Sequence, residues 1–453
     1  MFIDSHFFIP WEKARINVFR LQRRIFKSVY TGDILYAFRL QKLLLVSNSA
    51  RLLVVRFVTQ DSSMKKVSRS ENKISLNLFE KFKLSSLLLE NAHNWIPSKG
   101  KVIFLSDDNL FSTFHFKLWS LSDRCWQCLV KLVIEPAHFA TFSPRNFSFN
   151  YFSITNQIYN VISLNLCRES YGLQKRILLI KFSQQVTKFS SIVLLKKILV
   201  PRSIKLGIFR FLRLGLYLHL NLDYILISFF EFFLANILLG DVDFIGNTIR
   251  AGSNILVFLK PNENEVYFFN KLNKLLYSVG IDSNEFVTFQ SFSVRSGFDF
   301  LDWHFQLYSN GKVSCIPSTQ SYRSFLMRVK RIINNSNFGT KAKVLKVSPI
   351  IKEWKYYNNF CDASSLRLSL FFLRKKVFNT FVKESSQDLY SSKDLLDRSF
   401  LLSEKSTSKS SLKSFPYNFH LFFCSTLNGE LFRFTFPFCV HCGMNVNPSI
   451  IPF

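Results

Sequence analysis

Residues 317–376 combine a high density of positive charge with apolar residues at helical spacing. The segment contains 13 Lys and Arg residues but only two acidic residues, Glu353 and Asp362. When apolar residues recur every three to four positions, one side of a helix is buried and the charged residues lie on the other side. The segment is therefore predicted to form three helices with cationic outer faces, over residues 321–334, 346–360 and 371–382.

Aromatic residues lie among these cations, a combination that is typical of RNA-binding proteins. Cations neutralise phosphates, and aromatic rings stack on unpaired bases. Trp354 is either a stacking surface for a base or part of the core between the helices. The RNA-binding residues predicted in this segment are Arg328, Lys330, Arg331, Lys346, Lys352, Trp354, Lys355, Tyr356, Tyr357, Arg374, Lys375 and Lys376.

Two more helices with cationic faces are predicted near the N-terminus, over residues 11–30 and 38–57. Their apolar residues again recur at helical spacing, with Arg and Lys residues between them. Solvated faces that bind nothing are the alternative interpretation of such helices. The RNA-binding residues predicted here are Arg23, Arg24, Lys27, Lys42 and Arg51.

The charge of the whole chain also indicates a polyanionic partner. The 59 basic and 30 acidic residues give a net charge of +29, which favours nucleic acid or an anionic membrane surface. Residues 222–239 are almost all apolar and are the best candidate for a membrane span. They include Asp223 and Glu231, however, and the stretch is only marginally long enough to cross a bilayer. A buried helix is the favoured interpretation, so no membrane span is expected.

The order and the amino-acid sequences of these segments resemble those of the reverse transcriptases and maturases that group II introns of the chloroplast-like lineage encode. Residues 346–360 are similar to the family's maturase signature LNPIIRGWANYY, with Lys352 in the usual place of arginine and Glu353 in the place of glycine. Residues 21–25 and 40–45 are similar to the LQxRI and LQKLL motifs of the family's N-terminal extension, which grips intron RNA.

This resemblance implies an α+β fold with the right-hand arrangement of a reverse transcriptase. In that arrangement, fingers and palm precede an α-helical thumb, which is also called the X or maturase domain. The implied domains are a helical, RNA-binding N-terminal extension at 1–66, degenerate fingers and palm at 67–312, the thumb at 313–385, and a Ser/Lys-rich tail with a small C-terminal element at 386–453.

The resemblance also locates the positions at which an active polymerase of this family carries its metal-binding aspartates. These positions hold Lys181, Gly252 and Ser253. Polymerisation needs two Mg²⁺ ions held chiefly by carboxylates, and a lysine repels such an ion. The resemblance therefore implies a protein without catalytic residues that is not an enzyme. An active reverse transcriptase is the alternative, with Asp241 or Asp243 supplying a carboxylate if the alignment is shifted.

Cys439 and Cys442 resemble one half of a zinc site. Structural zinc usually has four ligands, often arranged as two pairs. No second pair follows Cys442, although His420 and Cys424 lie upstream. Neither a protein-bound metal nor another cofactor is therefore predicted.

The function that the resemblance implies is to bind a structured group II intron RNA within a precursor transcript and to hold it in the form that splices. The RNA carries the Mg²⁺ ions and catalyses the reaction, while the protein supplies charge and shape. The expected compartment is an algal chloroplast of the euglenoid type, with a mitochondrion as the alternative. No small-molecule substrate is expected, and the sequence leaves open whether the protein forms a homodimer. A membrane protein is the least favoured alternative.

Overall fold

A computed structural model describes residues 10–60, 76–107, 112–149, 155–167, 171–220, 229–384 and 389–400. The expectations for Cys439, Cys442 and a small β element at 417–438 lie outside these ranges.

The N-terminal part is a helical layer that packs on one long central helix. Its elements are α1 (Trp11–Tyr30), α2 (Ile34–Val46), α3 (Asn48–Gln60) and α4 (Leu78–Glu90), followed by the hairpin of β1 (Lys101–Asp107) and β2 (Ser112–Leu118), and by the central helix α5 (Leu121–Phe139). The side chains of α5 are buried along nearly its whole length. This helix is therefore the axis of the largest hydrophobic core.

The predicted helix over 11–30 coincides with α1, whereas the prediction of a single helix over 38–57 is wrong. The chain forms two helices there, because Ser47 adopts an extended conformation with φ −62° and ψ 126°. α2 begins where the Asp33 carboxylate accepts a hydrogen bond from the Tyr36 N–H, which caps its first turn. Both α2 and α3 contact α5, so the break lets each of them bury its own apolar face.

The middle of the chain alternates helices and strands. Its elements are α6 (Thr155–Leu166), β3 (Arg176–Phe182), β4 (Gln185–Val186), α7 (Ser191–Lys197), α8 (Arg202–Arg213), β5 (Leu218–His219), α9 (Phe229–Leu238), β6 (Thr248–Ala251), β7 (Asn254–Leu259), α10 (Glu265–Val279), α11 (Ser283–Phe286), β8 (Val287–Ser293), β9 (Phe298–Phe300), β10 (Trp303–Leu307) and β11 (Val313–Pro317).

A four-stranded antiparallel sheet in the order β6-β7-β3-β8 forms the centre of this part. β6 and β7 form a hairpin whose turn is Gly252 and Ser253, and Gly252 has a φ of +61° that favours glycine. Lys181 of β3 pairs with Asn254 of β7, and the Phe182 N–H donates to the Ser253 carbonyl at 2.8 Å. The turn therefore lies beside the end of β3.

α9 is a buried helix, as predicted for this part of the apolar stretch. All its described side chains but that of Phe229 are buried in the main core. Residues 222–228 of the stretch lie outside the described ranges. Among the described helices, none is both long and apolar enough to span a bilayer.

The C-terminal part is a bundle of four helices, α12 (Thr319–Ile333), α13 (Thr340–Tyr357), α14 (Ala363–Glu384) and α15 (Leu389–Phe400). α12 matches its predicted range closely. α13 begins at Thr340 instead of 346, so Pro349 lies inside the helix rather than near its start. Residues 389–400 had been assigned to the tail, but they form α15, which buries Leu396 and Phe400 in the core of the bundle.

Aromatic stacking joins the bundle to the sheets. The ring of Tyr357 stacks on that of Trp303 with a centroid distance of 4.8 Å, and Trp303 Nε1 donates to Asn358 Oδ1 at 3.1 Å. A second contact lies nearby, where the Asp362 N–H donates to the Cys315 carbonyl of β11. The end of α13 and the start of α14 are therefore both attached to the sheet β9-β10-β11.

Candidate nucleic-acid interface

The N-terminal basic surface is formed by the solvent-facing sides of α1 and α2. In α1, Gln22, Ile25 and Val29 are buried at helical spacing, which leaves the cations on the opposite side. Arg24 of α1 donates to the Tyr36 hydroxyl of α2, so the two cationic faces adjoin. The exposed cations of this surface are Arg20, Arg23, Arg24, Lys27, Arg39 and Lys42.

Arg51 does not belong to that surface. Its side chain is buried, and Nη1 donates to the backbone carbonyl of Ser85 in α4, with a second bond to the Ser85 hydroxyl at 3.3 Å. Burial lowers the pKa of the Arg51 guanidinium. Arg51 thus links α3 to α4, and it is removed from the predicted RNA-binding set.

The bundle basic surface begins on α12. Phe325, Val329 and Ile333 are buried in the bundle, as predicted, and the cations Arg323, Arg328, Lys330 and Arg331 are exposed. Arg328 Nη2 lies 3.1 Å from Glu353 Oε2 of α13. Because both partners are exposed, this ion pair is weak and an RNA phosphate can compete for the guanidinium.

α13 continues the bundle basic surface through three residues of the predicted set. Lys352 and Tyr356 are exposed and lie one turn apart, so they share a face of the helix. Lys346 is also exposed, and its Nζ lies 3.2 Å from the ring centroid of Phe338. The ammonium group of Lys346 therefore covers one face of the Phe338 ring in a cation–π contact.

Trp354 is a core residue, which decides between the two interpretations of its ring. It is 7% exposed and stacks on Phe325 with a centroid distance of 4.4 Å and an interplanar angle of 13°. Tyr357 is half-buried against Trp303 at the junction with the sheet. The Trp354 ring presents no open face for a base, so Trp354 leaves the predicted set. Trp303 covers one face of the Tyr357 ring, and Tyr356 is the exposed aromatic residue of α13.

Lys355 and Arg374 are held by other groups of the bundle. Lys355 Nζ donates to the Ser399 carbonyl of α15 at 2.7 Å. Burial, aided by the nearby charge of Lys352, lowers the pKa of Lys355 to about 8. Arg374 binds Asp397 of α15 through Nε and Nη2. Lys375 and Lys376, in contrast, are exposed on α14.

Exposed aromatic residues on α14 and α15 were not predicted. Phe371 is 56% exposed, Phe372 is 64% exposed and Tyr390 is 89% exposed. A sequence signal was present, because Phe371 precedes Lys375 by four residues and Phe372 precedes Lys376 by four. Residues four apart on a helix share a face, so each phenylalanine adjoins a cation.

The three positions at which the family resemblance leads one to expect polymerase aspartates lie together at the β6–β7 hairpin. Lys181 is exposed at the end of β3, beside the turn formed by Gly252 and Ser253. The Gly252 N–H donates to Ser148 Oγ at 3.0 Å, which fixes the turn against the preceding loop. Within the described ranges, no cluster of three or more His, Cys, Asp or Glu residues is arranged to hold a metal ion.

The two carboxylates considered as replacements are engaged elsewhere. Asp241 Oδ2 lies 2.7 Å from Lys197 Nζ. Asp243 is buried and accepts hydrogen bonds from Arg250 Nε and Nη2, at 2.6 and 3.0 Å, and from Asn146. Both acids therefore stabilise cations of the protein itself.

Comparison with known proteins gives two kinds of similarity. Residues 8–88 match the family described as the N-terminal domain of reverse transcriptase. Maturase-like protein 1 of Euglena gracilis is 42% identical over 447 residues, which cover 96% of this chain and 96% of the relative. Maturase-like protein 1 of Euglena longa is 37% identical over 444 residues, which cover 96% of this chain and 97% of the relative.

Proposed function

Because this chain belongs to the maturase-like protein 1 family of Euglena, we propose that it is an RNA-binding maturase that assists the splicing of a group II intron. The observation that carries this proposal is the 42% identity to a maturase-like protein over nearly the full length of both chains. The match to the N-terminal domain of reverse transcriptase supports it, since group II intron maturases resemble reverse transcriptases.

Phosphate contacts supply most of the affinity in this proposal. The N-terminal basic surface and the bundle basic surface carry exposed cations on helices whose other sides are buried, so their positions are set before RNA binds. A protein that neutralises several phosphates releases the counterions that had condensed on them, and its binding weakens steeply as salt rises. The exposed ring of Tyr356 adds contacts with unpaired bases.

The protein holds the intron in its active form and leaves the reaction to the RNA. The intron carries the Mg²⁺ ions that splicing needs, so no cofactor of the protein is required. The partner is the precursor transcript that contains the intron. The compartment is the chloroplast, with the mitochondrion as the second candidate.

The fold of the chain is proposed to be a degenerate right hand. The helical layer at 1–66 acts as the N-terminal extension, and residues 67–312 with the sheet β6-β7-β3-β8 act as fingers and palm. Residues 313–385, with the bundle that begins at Thr319, act as the thumb, and α15 extends it to Phe400. The antiparallel sheet with a tight hairpin beside β3 supports this assignment.

Polymerase activity is proposed to be lost, and the protein is not an enzyme. In the alignment that the resemblance implies, Lys181, Gly252 and Ser253 stand where Mg²⁺ ligands are required, and an ammonium group there repels a metal ion. Their proximity at the end of β3 supports this part of the proposal. The engagement of Asp241 by Lys197 and of Asp243 by Arg250 argues against a replacement carboxylate.

The test is to cross-link the protein to RNA in its own compartment and to sequence the bound fragments. We expect reads concentrated in the domains of one or more group II introns, with depletion of that intron's spliced product when the protein is removed. Reads spread evenly over transcripts would indicate a general RNA-binding protein instead of an intron maturase. An absence of RNA would refute the proposal.

A further inference from the structure

A cleft of about 210 Å³ opens between α14 and α15. This volume is below the roughly 300–1,000 Å³ of pockets for drug-sized molecules, so the cleft suits a group of the size of one base. Its lining consists of two aromatic rings, three cations and one carboxylate: Phe371, Phe378, Arg374, Lys375, Lys393 and Asp397.

Two of the charged groups that line the cleft form an ion pair, and a third lies near an aromatic ring. Arg374 donates to Asp397 Oδ1 through Nε at 3.0 Å and through Nη2 at 2.6 Å. Both bonds end on the same oxygen, which leaves Oδ2 to accept from a ligand. Lys393 Nζ lies 5.9 Å from the ring centroid of Phe378. With Lys375 exposed beside them, the three cations outnumber the carboxylate and attract an anion.

Phe371 supplies an accessible ring beside this charge. It is 56% exposed, so its ring is accessible from solvent. An exposed aromatic ring next to cations that face the same cleft is the arrangement that binds an unpaired nucleotide, with the base on the ring and the phosphate on the cations.

We infer that the cleft between α14 and α15 binds one unpaired nucleotide of the RNA partner, an inference that rests on the proposed function. The base stacks on Phe371, and its phosphate lies between Lys375 and Lys393. Asp397 Oδ2 accepts a hydrogen bond from a base amino group or from the ribose 2′-hydroxyl. A nucleotide within a duplex does not fit, because its base is stacked and paired.

Exposed residues of α10 provide matched controls. Tyr277 and Lys274 lie three positions apart on that helix, are exposed like Phe371 and Lys375, and do not line the cleft. The test variants are therefore Phe371→Ala and Lys375→Gln, and the controls are Tyr277→Ala and Lys274→Gln. All four changes are at solvent-exposed positions, where substitutions rarely impair folding.

The experiment measures the affinity of the full-length protein for three RNAs: the precursor transcript with its intron, single-stranded octamers, and a duplex of equal length. Phe371→Ala should weaken binding to the octamers and to the intron by roughly 5- to 100-fold, as expected for loss of a stacked base, while Tyr277→Ala changes it less than about 2-fold. Binding to the duplex should be insensitive to either change. In the intron complex, one unpaired nucleotide should lose its protection from chemical modification with Phe371→Ala only.

The outcomes separate this inference from the proposed function. If the intron is bound tightly but Phe371→Ala behaves like Tyr277→Ala on every RNA, the nucleotide cleft is refuted and the maturase function stands. If the octamers show the Phe371 dependence but the intron is bound no better than unrelated RNA, the cleft stands and the maturase function fails. If neither RNA is bound, both are refuted.

Discussion

The ammonium group of Lys355 donates a hydrogen bond to the backbone carbonyl of Ser399 with an Nζ–O distance of 2.7 Å, and this bond links α13 to α15. Burial at this junction lowers the pKa of Lys355 to about 8 in the folded protein, whereas an unfolded lysine titrates near 10.4. Between these values the folded protein binds fewer protons than the unfolded chain. The free energy of unfolding therefore gains a contribution that rises with pH from about 8 to about 10.4.

Lys355→Met should remove that contribution. We expect the wild-type protein to gain stability relative to the variant as the pH rises from 8 to 10, as measured by urea denaturation at several pH values. Lys341→Met, which removes an ammonium group from an exposed position at the start of the same helix, is the control. Parallel pH profiles for wild type and Lys355→Met would show that burial leaves the titration of Lys355 unchanged.

Trp354→Ala should destabilise the bundle by about 3–5 kcal/mol, because it removes a buried ring that stacks on Phe325. Tyr356→Ala removes an exposed ring from the same helix and should change the stability by less than about 0.5 kcal/mol. Tyr356→Ala should instead weaken RNA binding by roughly 5-fold or more. Thermal denaturation and filter binding would measure both quantities. An equal loss of stability in the two variants would contradict the assignment of Trp354 to the core.

Lys330→Gln should weaken binding to intron RNA and reduce the salt dependence. Lys330 is exposed on the bundle basic surface, and one phosphate contact contributes about 0.7–0.9 to the slope of log K against log salt concentration. Lys274→Gln removes an exposed cation from α10, outside both basic surfaces, and should leave that slope unchanged. Titrations at four salt concentrations would determine the slopes. Equal slopes for the two variants would mean that net charge alone, and not its location, drives binding.

Arg250→Met should destabilise the protein by about 3–5 kcal/mol, because it leaves the buried Asp243 carboxylate without its cation. The double variant Arg250→Met with Asp243→Asn removes both charges and should recover part of the loss. Chemical denaturation of the wild type, the single variants Arg250→Met and Asp243→Asn, and the double variant would measure the coupling. If the double variant is less stable than the sum of the two single changes predicts, the ion pair is not the dominant interaction at this site.

The purified protein should show no primer extension on an RNA template with Mg²⁺ or Mn²⁺ and deoxynucleotides. The reason is that Lys181, Gly252 and Ser253 offer no carboxylate at the hairpin. An active reverse transcriptase assayed in parallel controls for the template and primer. Extension that survives further purification and is lost on changing Asp241 or Asp243 would restore the alternative of an active polymerase.

Elements with a strong local pattern could be predicted from the sequence. α1 and α12 have their predicted ranges, or nearly so, because one apolar stripe determines each helix. α15 was missed, since its serines and charges conceal the few apolar residues, Leu396 and Phe400 among them, that pack in the bundle. The break at Ser47 was also missed, because it depends on how α2 and α3 separately meet α5.

The role of individual side chains was harder to predict than the helices that carry them. Arg51 was assigned to the RNA by its charge, although it shares the spacing of Val54, Val55 and Val58, which form the buried side of α3. That spacing was the available signal. The bond from Arg51 to Ser85 and the pairing of Asp243 with Arg250 join separate segments, and no local pattern in the sequence reports such contacts.

The stack of Trp303 on Tyr357 bears on which partner changes shape when the proposed complex forms. This stack and the bond from Asp362 to Cys315 attach both α13 and α14 to the same sheet. We therefore expect the bundle to keep its geometry and the RNA to adjust on binding. An intron would then be selected by the architecture of its helices rather than by its base sequence, and an intron of different sequence but the same three-dimensional arrangement would be an equally good partner.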